Sequence, residues 1–191
     1  MRRILVALVA VVSLLGFSAA AAEAGPTKSI DYTLSGTSVW SPLDVPSSFA
    51  ISGDVASGNH SVGTYSGTIS ISGFSPCAEP DNPYGPQCAS PTGGTITFDL
   101  RGGSVTTSVD GGIVWQLFQT PSFDGYVFDL DLSVTSGTHA YASAEGTLSL
   151  HYETARSKFS PDPVTFVPCV FVDLATCPIT DGGELTGTIT R

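Results

Sequence analysis

Cationic side chains are scarce in this chain. Seven Lys and Arg stand against seventeen Asp and Glu in 191 residues, for a net charge of −10. Lys28, Arg101, Arg156, Lys158 and Arg191 stand singly. Phosphate backbones and anionic lipid surfaces are held by clustered cations, so nucleic acid and anionic membrane are excluded as partners. Long apolar runs are absent after the N-terminus, and no later stretch approaches the roughly 20 residues of a membrane span. Segments with a 3.6-residue apolar period are missing, which argues against a helical core. Catalytic signatures are missing too. There is no G-x-S-x-G elbow and no H-E-x-x-H pair, and the three histidines, His60, His139 and His151, lack ligand spacing. No motif implies a cofactor or a metal.

What is present begins with MRRILVALVAVVSLLGFSAAAAEAG. Basic Arg2 and Arg3, an apolar run from Ile4 to Leu15 and a small-residue segment follow in the order of a secretory leader. Cleavage after Ala24 fits the small-x-small rule through Ala22 and Ala24, and cleavage after Ala22 fits nearly as well. Residues 1–24 are therefore expected to be a signal peptide, and 25–191 a single antiparallel β domain of 167 residues. The expected location is extracellular, in soluble form. The mature part would carry five basic and sixteen acidic residues, a net charge of −11. Such a charge favours solubility.

The four cysteines, Cys77, Cys88, Cys169 and Cys177, form an even set in an exported chain, which points to disulfides. Sequence-local pairing, Cys77 with Cys88 and Cys169 with Cys177, is expected because each pair brackets a turn-rich segment. The intervening spacings do not match the close ligand pairs of zinc sites. CAEPDNPYGPQC, residues 77–88, holds three prolines and reads as a stapled connection between two strands. It would display Tyr84. Glu79 and Asp81 are candidate calcium ligands, but the regular acidic spacing of a calcium loop is lacking.

Period-two alternation runs through the rest. Ile30, Tyr32 and Leu34 share a face, as do Phe49, Ile51 and Val55. Ile69 and Ile71, then Ile96, Phe98 and Leu100, then Val105, Thr107 and Val109, continue the pattern. Ile113, Trp115 and Leu117 alternate, with Val114 and Phe118 on the opposite side. In FDLDLSV, Phe128, Leu130, Leu132 and Val134 point one way while Asp129, Asp131 and Ser133 point the other. Leu148, Leu150 and Tyr152, then Val164, Phe166 and Val170, then Leu185 and Ile189, complete the series. The expectation is an all-β fold, an antiparallel barrel of about eight to ten strands, with a sandwich as the alternative. Asp110-Gly111-Gly112 and Asp181-Gly182-Gly183 read as hairpin turns.

SGNHSVGTYSGTISIS, 57–72, aligns without gaps to SGTHAYASAEGTLSLH, 136–151, and G-T-[IL] recurs at 94–96 and 187–189. A glycine opening a strand relieves crowding where a barrel strand bends. SGTHAYASAEGTLSL resembles a segment of exported bacterial proteins in the allene-oxide-cyclase-like and dirigent-like barrel group. The resemblance implies an eight-stranded antiparallel barrel whose mouth holds a small apolar ligand. It carries no catalytic residue onto this chain.

Candidate site residues follow from chemistry. Asp129 and Asp131 share a strand face about 6.5–7 Å apart, a separation suited to an inverting glycosidase pair; if that polar face lines a barrel interior, they become candidates for holding a cation or a sugar. His139 shares a repeat position with His60, and Asn59-His60-Ser61 is a glycosylation sequon. Trp40, before a loop, and Tyr84 are candidate sugar-stacking aromatics, beside Trp115, Tyr65 and Tyr126. The functional expectation is a non-catalytic exported barrel binding a small apolar ligand or a surface partner such as a glycan. A cyclase or isomerase with a barrel pocket, and a carbohydrate-binding or cell-envelope module, are the alternatives.

Overall fold

The structure, a computed structural model, describes residues 26–39, 47–78, 87–119, 123–157 and 179–191. Among these residues ten strands run in chain order: β1 Thr27–Val39, β2 Ser48–Ser57, β3 His60–Ile71, β4 Ser75–Pro76 and β5 Gln87–Ala89, then β6 Pro91–Leu100, β7 Gly103–Gln119, β8 Phe123–Gly137, β9 Glu145–Ser157 and β10 Ile179–Thr190. Every pairing among them is antiparallel. The sheet order β4-β5-β7-β6-β3-β2-β1-β10-β9-β8 is closed by pairing of β7 with β8. Eight strands thus form an up-and-down barrel, with β4 and β5 appended at one edge. The sandwich alternative gives way to this closure, which leaves no open edge between β7 and β8.

The alternation read from sequence sorts the two faces. Leu34, Phe49, Ile69, Ile96, Phe98, Phe128, Leu132, Leu150 and Leu185 all point inward and are at most 1% exposed. Aromatic rings pack edge to face across the axis, Phe49 against Phe128 at 4.8 Å and against Tyr126 at 5.0 Å. Each fully buried side chain of this size contributes about 1.5–3 kcal/mol, so the filled lumen is the main stabilising element. Outward positions such as Asp31, Thr33, Ser35, Asp99, Asp131 and Glu184 are polar and exposed. That arrangement inverts a transmembrane barrel, whose apolar band faces outward. Among the described residues no helix is long and apolar enough to cross a membrane.

The G-T-[IL] motif has a structural cause. Gly67 pairs with Ile96 while Ile69 pairs with Gly94. On the far side of the barrel, Gly187 pairs with Leu148 while Ile189 pairs with Gly146. A Cβ on any of these four glycines would lie 2.1–2.4 Å from a carbonyl oxygen of the neighbouring strand. Each strand pair therefore crosses closely by exchanging a glycine for the neighbour's branched side chain. The sequence echo falls on β3 and β9, which are four strands apart in the eight-strand ring.

Two sequence expectations are corrected here. Asp110-Gly111-Gly112 is not a hairpin turn but a bulge inside β7, where the register with β8 shifts between Val109 and Gly111. The extra residue exchanges the faces, so Val105 and Val109 point inward before it and Val114 points inward after it. Ile113, Trp115 and Leu117 are left on the outside. Asp181-Gly182-Gly183 lies within β10, where a Cβ on Gly183 would meet the His151 carbonyl at 2.2 Å. In both places glycine permits close strand approach rather than a reversal.

The barrel ends differ. Tight turns at Gly58-Asn59 and Arg101-Gly102 and a 3-10 turn, His139–Tyr141, lie at one end, where Tyr141 is buried beneath the Arg191 guanidinium. At the opposite end emerge the connections 40–46, 72–90, 120–122 and 158–178. There a disulfide joins Cys77 to Cys88, with Cα atoms 5.0 Å apart, beside the β4–β5 pairing. This is the expected staple. The expected Cys169–Cys177 pair, the strand over Val164–Val170 and the leader at 1–24 lie outside the described residues.

Candidate functional site

Two constellations stand out, and they meet across β9 and β10. The first is an outward groove of about 460 Å³ lined by Ile113, Trp115, Asp129, Asp131, His151 and Glu184, among others. The barrel register builds it. Ile113 pairs with Asp129, Asp129 with His151, and His151 with Glu184, so four strands place these side chains in one row. The β7 bulge supplies the apolar wall, since without it Ile113, Trp115 and Leu117 would face the lumen. Val127, the outward residue between Trp115 and Glu153 in the register, is fully buried.

His151 is the electrostatic centre of the groove. Its Nδ1 lies 2.5 Å from Asp129 Oδ1 and its Nε2 lies 3.4 Å from Glu153 Oε1. Burial alone would pull its pKa down, but the hydrogen bonds and charges of Asp129 and Glu153 outweigh burial. The net shift is upward from the ordinary 6.5. With both ring nitrogens engaged by carboxylates, His151 has no free nitrogen to activate a nucleophile, so the pair lacks the arrangement of a hydrolase triad.

The second constellation is inside. Ser38, Tyr65, Tyr152, Thr154 and Asp181 point into the lumen toward the end that bears the long connections. Ser38 Oγ lies 2.6 Å from Thr154 Oγ1, and Tyr65 OH lies 3.0 Å from Tyr152 OH. Each hydroxyl pair keeps only one proton for other acceptors. Both Asp181 oxygens are sealed from solvent without a well-formed hydrogen bond. Burial pushes the Asp181 pKa up, and the nearby Thr154, Ser38 and Tyr152 hydroxyls only partly offset it. The Tyr152 hydroxyl is held far above its usual value by burial, then by Tyr65 and Asp181. A hollow of about 530 Å³ lies beside the outer groove, lined by Leu117, His151, Glu153, Thr154, Asp181 and Glu184 among others.

No family model and no curated protein matches the chain. Among solved structures, one described as pyocyanin demethylase is similar at a TM-score of 0.42 and 14% identity, covering 84% of this chain and 99% of that one. A likeness at that level carries no argument about activity.

Of the residues singled out from sequence, Asp129 and Asp131 lie together in the groove. His139 lies elsewhere, exposed in the 3-10 turn with φ of 52° at the tight-turn end. Trp40 and Tyr84 are outside the described residues. Sequence reading assigned no site role to His151 or Glu184 and took Asp181 for part of a hairpin turn. His151 and Glu153 did carry a signal, because residues two apart on a strand share a face. Their proximity to Asp129 and Glu184 depends on register, which a single sequence does not display. Among the described residues, no cluster of His, Cys, Asp and Glu has the geometry to hold a metal ion.

Proposed function

We propose that this protein is a non-catalytic binding barrel, working in an exported setting, that engages a surface partner through the outer face of β7 to β10. One observation carries the reading. The lumen, where a barrel of this size would hold a small apolar ligand, is filled by close-packed Phe, Tyr, Leu and Ile side chains. The concave surface lies instead outside, between an aromatic wall and a row of carboxylates. A glycan is a second reading, favoured by the half-buried Trp115 beside hydrogen-bonding carboxylates. As for catalysis, Asp129 is engaged by His151 rather than paired with Asp131 as acid and base.

The test compares occupancy of the two places. Palmitate and a naphthalene-sulfonate dye are titrated first, and no stoichiometric uptake is expected. Glycan and peptide arrays are then probed with the wild-type protein and the Trp115→Ala variant. Groove-dependent hits support the proposal. One-to-one uptake of the fatty acid with chemical-shift changes at Tyr65 and Phe128 overturns it, as do array hits indifferent to Trp115→Ala.

A further inference from the structure

The geometry points to a cationic occupant for the outer groove, namely a partner segment presenting arginine or lysine side chains; this rests on the binding role proposed above. Asp129 and Glu184 flank His151 on the two neighbouring strands, Glu153 lies two residues along β9, and Asp131 lies next to Asp129 on β8. With strands about 4.8 Å apart and same-face neighbours about 6.7 Å apart along a strand, Asp129 lies within roughly one Debye length of Asp131, Glu153 and Glu184, so their repulsion is only partly screened. The one imidazole among them cannot neutralise four acids. Among the described residues no Lys or Arg lines the groove. Among the described side chains, Lys28, Arg101 and Arg191 all sit at the tight-turn end, and Lys28 is bonded to Tyr32 at 3.1 Å.

One further feature favours a cation on a long stem over a small ion. The wall of Ile113 and Trp115, continued by Leu117 in the adjoining hollow, offers apolar surface to the methylenes of Lys or Arg and aromatic surface to a guanidinium. A simple acidic surface lacks that wall. A guanidinium, with its donors in a fixed fork, can hold a single carboxylate through two bonds while its stem lies on the wall.

The test uses a tetra-arginine amide peptide and its tetra-citrulline analogue, which keeps the shape and loses the charge. Binding to the full chain is measured by calorimetry at about 150 mM salt, where long-range attraction to an acidic protein is screened. The arginine peptide is expected to bind at least about tenfold more tightly than the citrulline peptide, since one good charged contact supplies that ratio. Asp129→Asn with Asp131→Asn should weaken it about tenfold or more. Asp54→Asn with Asp99→Asn, which removes the same charge elsewhere, should change it less than about threefold. Equal losses in the two double variants overturn the inference, because net charge alone would then explain binding. So does citrulline binding as well as arginine, or no binding of either. In those cases the binding role survives if Trp115→Ala still abolishes a glycan or neutral-peptide hit, and falls if it does not.

Discussion

Replacing Asp181 by Asn should stabilise the protein at neutral pH. The perturbation removes a carboxylate that has no cationic partner among the described residues and whose oxygens are sealed from water. In the unfolded chain the group titrates near 3.8, and in the barrel its pKa is raised, chiefly by burial. Folding therefore favours the protonated acid. Stability from this group is fully present below the unfolded value and is lost as pH rises through the folded one. A buried, poorly satisfied polar group costs about 1–3 kcal/mol. Asp181 as a whole is only half-buried, so nearby water screens it and the lower half of that range applies. For a domain of this size about 1 kcal/mol corresponds to roughly 2–4 °C in Tm. Thermal melts of the wild-type and Asp181→Asn proteins should nearly coincide at pH 3 and separate by about 2–6 °C at pH 7, the variant being higher. Reading the difference between the two cancels the other carboxylates. A gap that is independent of pH, or a variant that melts lower at pH 7, would mean that the Ser38, Thr154 and Tyr152 hydroxyls hold the charged form well, and the reasoning would fail.

Proton NMR should place the His151 midpoint above 6.5 in the wild-type protein and lower in Asp129→Asn; an unchanged midpoint would remove Asp129 as the cause. Tyr65→Phe removes one member of the buried hydroxyl pair and should cost about 1 kcal/mol in chemical denaturation, with near-native spectra. Gly67→Ala would put a Cβ 2.4 Å from the Thr95 carbonyl and should lower stability by several kcal/mol, whereas Gly73→Ala, with open space around it, should be close to neutral. Loss of the Cys77–Cys88 bridge through Cys77→Ser should cost about 2–3 kcal/mol, measurable as the gap between variant and non-reduced wild-type denaturation midpoints.

The antiparallel strands and their buried face were legible because alternation is a local property, whereas the β7–β8 pairing that separates a barrel from a sandwich was not. In FDLDLSV every second residue is apolar, and Phe128, Leu130 and Leu132 do point inward. The Cys77–Cys88 staple was legible for the same reason, since both ends of the loop are near in sequence. The groove was only half legible. Asp129 and Asp131 were visible as a pair on one face, but His151 and Glu184 join them through register across three strands. Asp-Gly-Gly misled at both occurrences. Turn chemistry and close strand approach each call for glycine, and the local sequence does not separate a reversal from a crossing. The β7 bulge shows what is at stake in that distinction, since one extra residue exchanged the faces of Ile113 and Trp115 with that of Val114.

Pairing of β1 with β10 leaves Thr27 and Thr190 side by side, with their hydroxyls 3.4 Å apart. A linker of a few residues would therefore join the first strand to the last without bending either. New ends could then be opened among the long connections at the far rim. Such a circularly permuted molecule would keep every cross-strand ladder, and its recovery of the same fold would show that chain order is incidental to how the ring assembles.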